Sequence, residues 1–327
     1  MNVDRIKKVF GLLRREKISA AGTCDESDIF YFTNIKAGGS FLLFAKGAVQ
    51  LFVNSLYPLK HPWIKPEASM KKMKVSVLAV EPEKTTLAAL KRIRKNFGCG
   101  IREEHNLFSK VRAVKAKEEI EKIARAQKMA KRIMRGLIFK PGTSEDDCRR
   151  QICVMSHRYA DGPSFEPIVA FSKNSAFPHH TAGGAKYSAD MSVLIDMGVK
   201  IDGYCSDLTR IKGLSNIKNP LKRAFETLRQ ARKIALGNIH PGSRIGALDG
   251  FIREFLSKAG FEKNILHSSG HGIGLDVHEW PAITISEKGK FEKGMVFALE
   301  PGLYFEGLGG VREENVYVLE DKPKELA

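Results

Sequence analysis

Asp196, Asp207, His271, Glu300 and Glu314 all fall in the C-terminal half of the chain, each in a short strand or turn context punctuated by glycine. Four carboxylates and one imidazole suit hard or borderline divalent cations such as Mn²⁺, Co²⁺, Fe²⁺ or Zn²⁺. Carboxylates that bridge can hold two such ions about 3.5–4 Å apart, an arrangement that activates water for hydrolysis. The set therefore predicts a two-metal hydrolase.

The first two acids sit on a readable hairpin. Val193–Gly198 reads as a strand carrying Asp196, Gly203–Arg210 as the returning strand carrying Asp207, and Asp202-Gly203 as a turn signal. If those two residues form the turn, residues whose numbers sum to 405 face each other, and Asp207 opposes Gly198, two residues from Asp196 on one face. If the turn is Ile201-Asp202, Asp196 opposes Asp207 directly. Either register places two like charges together, which repel unless a cation lies between them.

Residues 267–279 hold three histidines, His267, His271 and His278, among glycines that permit tight turns and make a helix improbable. The stretch matches neither H-E-x-x-H nor G-x-G-x-x-G. Glu300 ends an apolar strand before Pro301-Gly302, and Glu314 starts the strand that runs to Leu319. An unpaired carboxylate at such a place is costly to bury.

These residues need a scaffold, and 327 residues suggest two domains. In the first 110, residues 29–32, 41–44, 49–53 and 75–80 read as strands and 85–96 as a helix, a small α/β domain. A polar, basic linker follows at 112–117. Helical periodicity then covers 117–139, where Ile120, Ile123, Ala130, Met134 and Leu137 share a face and Pro141-Gly142 ends the run. Helices are expected at 144–160, 219–237 and 245–259. Strands are expected at 167–171, 192–196, 277–278, 295–300 and 311–319. The theme of helices followed by strands recurs, giving two similar α+β halves without a sequence repeat.

Composition narrows the setting. Five cysteines without a C-x-x-C pattern argue against zinc-finger and disulfide frameworks and for a reducing cytoplasm. No apolar run reaches the ~18 residues of a membrane span, and residues 1–17 lack the apolar centre of a signal peptide. The net charge is +17, and the first 120 residues hold 23 Lys and Arg against 12 Asp and Glu. Without an RNP, helix-turn-helix or Gly/Arg pattern, that excess reads as a solvated surface rather than a nucleic-acid site.

Together the motifs resemble the pita-bread metallopeptidases, which include methionine aminopeptidase, aminopeptidase P and prolidase. The resemblance lies in Leu194-Ile195-Asp196 with Ser206–Arg210, Gly270–Gly274, Leu299–Gly302, and Val311-Arg312-x-Glu314, in the family's order and spacing. Asp28–Asn34 resembles the creatinase-type N-terminal domain, and Val111–Lys115 with Glu119-Ile120 the junction behind it. The resemblance implies an α+β fold. Residues 1–112 would be a smaller creatinase-like α/β domain, and residues 113–327 a pita-bread catalytic domain. That arrangement points to the proline-specific branch, and the length to prolidase (Xaa-Pro dipeptidase).

By the same resemblance, Asp196, Asp207, His271, Glu300 and Glu314 hold two divalent ions, Mn²⁺ or Co²⁺ before Zn²⁺ or Fe²⁺. Asp207 and Glu314 bridge them. Glu300 doubles as general base. His179, His267 and His278 contact substrate, with His179 or His278 assisting at the carbonyl oxygen. Arg312 orients ligands and substrate, and His180 has no implied role. Proline-containing peptides are the implied partners, with a homodimer as the implied assembly. Two positions depart from the pattern. Glu313 stands where a branched apolar residue is usual, and on a strand it should point away from the metals. Ala282 stands where archaeal-type prolidases place an arginine that reads the dipeptide carboxylate, which raises aminopeptidase P as the alternative. A non-catalytic binding protein on the same fold is the rival class, and retention of all five ligands argues against it.

Overall fold

A computed structural model describes residues 3–54, 56–57, 61–216 and 218–326, and the chain divides into two compact units, Met1–Arg112 and Ala113–Ala327. The first unit runs α1 (Val3–Arg15), β1 (Ala20–Thr23), α2 (Glu26–Thr33), β2 (Phe41–Ala45), β3 (Ala48–Val53), β4 (Ile64–Pro66), β5 (Val77–Val80), α3 (Leu87–Phe97), β6 (Gly100–Glu103) and α4 (Leu107–Ala113). Its mixed sheet has the order β4-β3-β2-β1-β5-β6. Phe41, Leu43, Phe52, Leu78, Ile93 and Phe97 form a core on that sheet.

One expected strand is a helix. Residues 29–32 lie in α2, where the Asp25 side chain accepts from the Asp28 N–H as N-cap and Asn34, at φ 62°, forms a left-handed C-cap. Ile29, Tyr31 and Phe32 are all buried. A short apolar run buried on several sides carries no usable period, so the cap residues were the better guide. Inside this unit the fully buried Asp28 accepts from Lys84 Nζ at 2.9 Å and Arg112 Nη1 at 2.8 Å, so its charge is matched twice.

The second unit contains α5 (Lys117–Gly136), α6 (Glu145–Tyr159), β7 (Gly162–Pro163), β8 (Ile168–Phe171), β9 (Val193–Met197), β10 (Val199–Ile201), β11 (Tyr204–Cys205), β12 (Leu208–Lys212), α7 (Asn219–Gly237) and α8 (Ile245–Lys258). It continues with β13 (Gly270–Gly272), β14 (Glu279–Ile283), β15 (Val296–Leu299), β16 (Gly302–Phe305), β17 (Gly309–Arg312), β18 (Asn315–Leu319) and β19 (Pro323–Glu325).

Two helix pairs face two sheets. α5 and α6 bury Ala126, Ile133 and Ile152 against Val169, Ile195 and Leu208 of the sheet β12-β9-β8. α7 and α8 bury Leu228, Leu248 and Ile252 with Ile283, Phe297 and Tyr317 of the sheet β14-β13-β15-β18-β19. The helices start where local chemistry says they should. Ser144 and Asp147 cap each other's backbone at the head of α6, and a proline opens α7.

The expected strand at 277–278 is instead a bend between β13 and β14, and the single strand expected at 311–319 is split into β17 and β18 around residues 313 and 314. The architecture is mixed α+β.

Candidate metal centre

The hairpin settles the first pair of acids. Asp202 and Gly203 both take positive φ, 52° and 81°, and Ile201 pairs with Tyr204, so residue numbers sum to 405. The same register continues where Thr209 faces Asp196. Asp207 is thus held beside Gly198, and the Ile201-Asp202 turn does not occur. Between the two ladders the strands close up, and a Cβ on Gly198 would lie 1.9 Å from the Ser206 carbonyl oxygen. That close approach requires glycine. From α5, Gln127 Nε2 donates to the Asp207 carbonyl at 2.8 Å and Gln127 Oε1 accepts from its N–H at 3.2 Å. Both backbone groups of this residue are therefore pinned.

His271 lies on a strand, not in a Gly-rich turn. β13 runs between β14 and β15, and a Cβ on Gly270 or Gly272 would come within 2.1 Å of the Ala298 oxygen or 2.5 Å of the Trp280 oxygen. These glycines serve close strand packing rather than turns. His271 Nδ1 faces the Gly272 carbonyl at 3.0 Å and must carry the proton there. The Nε2 lone pair then points at Asp207 Oδ2, 3.7 Å away, and Glu300 Oε1, 3.5 Å away.

Glu300 directly follows β15, its N–H donating to the Ser269 carbonyl at 2.8 Å. Glu314 sits in the two-residue gap between β17 and β18, its N–H donating to the Thr209 carbonyl. Thr209 Oγ1 donates to Glu314 Oε2 at 2.8 Å. Arg312 Nη2 donates to Asp196 Oδ2 at 2.7 Å, Nε to Thr209 Oγ1 at 3.1 Å, and Nη1 to the Tyr304 hydroxyl at 2.7 Å.

What these contacts leave over is one buried oxygen on each of three acids. Among the described residues, Asp196 Oδ1, Asp207 Oδ1 and Glu314 Oε1 lack a donor. Ligand atoms of Asp207, His271 and Glu314 all lie within 4.8 Å of one another. Burial, then the neighbouring Glu314 and Asp196 carboxylates, push Asp207 well above the carboxylate range. Burial and then Asp196 push Glu314 the same way, and burial raises Glu300 to about 7. Burial pulls His271 down to about 4, so its ring is neutral. Orphaned acceptors, mutually repelling acids and a neutral imidazole aimed at them fit divalent cations.

Residues 121–321 match the model of metallopeptidase family M24. The chain belongs to this family. The Xaa-Pro dipeptidase of Pyrococcus furiosus is 27% identical over 341 residues, covering 99% of this chain and 97% of that protein. The crystal structure of a dipeptidase from Pyrococcus horikoshii OT3 superposes with a TM-score of 0.90 at 28% identity, covering 99% and 97% of the two chains. An X-Pro aminopeptidase from Thermotoga maritima MSB8 superposes with a TM-score of 0.82 at 28% identity, covering 95% of each. This M24 chain is therefore a pita-bread metallopeptidase. Family membership implies divalent metal use, and the buried Asp207–His271–Glu314 group could bind a metal.

The remaining candidate residues of this M24 chain spread around the carboxylates. The His278 ring meets the His271 ring edge-on at 4.4 Å between centroids, and His278 lies within electrostatic reach of Asp196 and His179. His179 is exposed. His267 Nδ1 donates to the Ser268 carbonyl at 2.7 Å, so Nε2 accepts from the Tyr304 hydroxyl at 2.8 Å. His180 faces away, its Nε2 lying 2.9 Å from Glu145 Oε2.

Thr209, Gln127 and Tyr304 were missed from the sequence. Thr209 sits two residues from Asp207 on a strand, which was a usable signal. Tyr304 had a weaker one, since Gly302 two residues before it leaves room for its ring, a Cβ there falling 2.4 Å from the hydroxyl. Gln127 lies on a helix 80 residues away in sequence from Asp207, with no local cue.

Proposed function

We propose that this M24 peptidase hydrolyses the bond preceding proline and acts first as a dipeptidase, a prolidase. The carrying observation is the set of three orphaned buried oxygens on Asp196, Asp207 and Glu314. They support a metal centre in which these three acids, with His271 and Glu300, would hold two divalent ions. Mn²⁺ or Co²⁺ is our first choice of metal. Similarity to an Xaa-Pro dipeptidase and an X-Pro aminopeptidase supports the prolyl specificity. In this reading residues 1–112 are the creatinase-type domain, residues 113–327 the catalytic domain, and the working form a cytoplasmic homodimer.

Bound cations supply Lewis acidity, lowering the pKa of water and polarising the scissile carbonyl. The chain's own residues do the rest. The Glu300 carboxylate accepts the water proton and delivers it to the prolyl nitrogen. His278 or His179 donates to the carbonyl oxygen as negative charge develops there. Arg312 fixes Asp196 by a charge-assisted bond and Glu314 through Thr209. His267 is held neutral by burial, at about 4, and in one tautomer by the Ser268 carbonyl and the Tyr304 hydroxyl, so it borders the substrate site as a fixed ring. The prolyl nitrogen carries no N–H in the intact amide, so the site needs no acceptor for one.

One observation favours aminopeptidase P activity as the second reading. Ala282 pairs directly with His271 across β14 and β13, which puts the two on one face of the sheet. A methyl there offers no cation to a dipeptide's carboxylate. The test is hydrolysis by metal-reconstituted protein of Xaa-Pro dipeptides beside Xaa-Pro-Yaa tripeptides. Dipeptide cleavage supports prolidase, and tripeptide cleavage alone replaces it with aminopeptidase P. Failure on both, with no metal retained, leaves the binding-protein reading.

A further inference from the structure

Glu314 sits where neither neighbouring strand holds it. Residues 313 and 314 fall between β17 and β18, outside both ladders, and beyond the Glu314 N–H bond to the Thr209 carbonyl it is side chains that fix their backbone. Two arginines do so from opposite sides of the Glu314 Cα. On its C-terminal side, Arg210 Nη1 donates to the Glu314 carbonyl at 2.6 Å and also to the Thr209 carbonyl at 2.8 Å. On its N-terminal side, Arg232 Nη1 reaches the Glu313 carbonyl at 3.4 Å and the Glu313 carboxylate Oε2 at 2.6 Å. Arg232 Nη2 donates to the Tyr317 hydroxyl at 2.8 Å, which ties the same guanidinium to β18. Arg229, one turn earlier on α7, adds a second cation 3.4 Å from Glu313 Oε2. The Arg232 side chain is 9% exposed and that of Glu313 19%, so this pair is shielded from solvent.

Glu313 does not face the carboxylate cluster. Its side chain is turned to α7 while that of Glu314 is turned to the carboxylate cluster. The Glu313 carbonyl belongs to the same planar peptide unit as the Glu314 N–H, so holding Glu313 restricts the direction Glu314 can take. We propose that Arg232 and Glu313 are positioning residues that set the direction of the Glu314 side chain and thereby its grip on metal. The inference rests on the reading of Glu314 as a ligand. Groups that orient a ligand without touching metal typically change affinity 10–100-fold.

The test measures Mn²⁺ affinity by calorimetry on chelator-stripped full-length protein, with apo melting temperature alongside. Two variants are used. Arg232→Met with Glu313→Val removes both charges and fills the space with apolar groups, and Glu313→Gln keeps the shape and loses the charge. The structure predicts apo melting within a few degrees of the parent for Glu313→Gln, with Mn²⁺ bound several-fold more weakly, and about 10-fold weaker binding in the double variant. Parental Mn²⁺ affinity in the Glu313→Gln protein, or in a folded double variant, overturns the proposal. Glu314→Gln separates the two layers. Unchanged Mn²⁺ affinity in that variant defeats the ligand reading itself, whereas lost affinity there with parental affinity in the clamp variants defeats only the clamp.

Discussion

Arg312 binds Asp196 at 2.7 Å through one guanidinium nitrogen and the Tyr304 hydroxyl at 2.7 Å through another. One planar fork thus couples an acid of the candidate metal centre to a tyrosine that in turn donates to His267.

Tyr304→Phe should therefore loosen both ends of this connection without emptying the core. The ring stays, and only the hydroxyl between Arg312 and His267 is lost. We expect kcat/KM on an Xaa-Pro dipeptide to fall about 10-fold, the lower end for groups that orient a metal ligand. Steady-state kinetics on metal-loaded protein decide it, and an unchanged kcat/KM would show that Arg312 and His267 hold position unaided.

Glu300→Gln tests proton transfer. The amide keeps the size and one acceptor oxygen but cannot take a proton near neutral pH. Turnover should drop about 10²–10⁴-fold, the usual weight of a general base. Metal content by elemental analysis is measured on the same sample, so loss of base is separated from loss of ligand. Near-parental kcat would remove Glu300 from the mechanism.

The metal-free protein should show an inverted pH profile of stability over the carboxylate range. Burial raises Asp207 and Glu314 well above their ordinary 3.8 and 4.5, and Glu300 to about 7. An acid with a raised folded pKa binds more protons folded than unfolded between its two values. Stability therefore falls as pH rises through that window. We expect chelator-stripped protein to melt at higher temperature near about pH 5 than near about pH 7, with Mn²⁺ abolishing the difference and releasing protons as it binds. Thermal melts with and without chelator measure this. Equal melting of the stripped protein at both pH values would contradict the cluster's electrostatics.

Ala282→Arg asks what end of the substrate the His271 face reads. Position 282 pairs with His271, so an arginine there would reach over the same face. It should shift the ratio of kcat/KM for dipeptide over tripeptide upward by about 10-fold or more, the worth of a charge-assisted bond to a carboxylate. A ratio that does not move would locate carboxylate recognition elsewhere.

Much of the candidate centre was legible because its local geometry is short-range. The Asp202-Gly203 turn fixes a hairpin register, and a period of two then places Asp196 and Asp207 on one face. Helices α6, α7 and α8 were readable from period, caps and an opening proline. Residues 29–32 were not, because a short apolar run buried on several sides looks alike in helix and strand. The glycines around His271 misled for a different reason. In sequence they signal turns, and in the fold they admit the Ala298 and Trp280 carbonyls beside a central strand.

The sequence by itself determined the residue types, their order, and two candidate registers for one hairpin, both with Asp196 and Asp207 on one face. Tertiary structure decided what faces what. Asp196 and Asp207 arrive on strands backed by α5 and α6, whereas His271, Glu300 and Glu314 arrive on strands backed by α7 and α8. No local period relates the two sets, since they are brought together by helix and strand packing. Arg312 and Thr209 act across that same gap, through side chains that burial forces to find polar partners. The physical reason is range. Turns and periods are set within a few residues, while the pairing of buried charge is set by whatever the packed core brings within hydrogen-bonding distance.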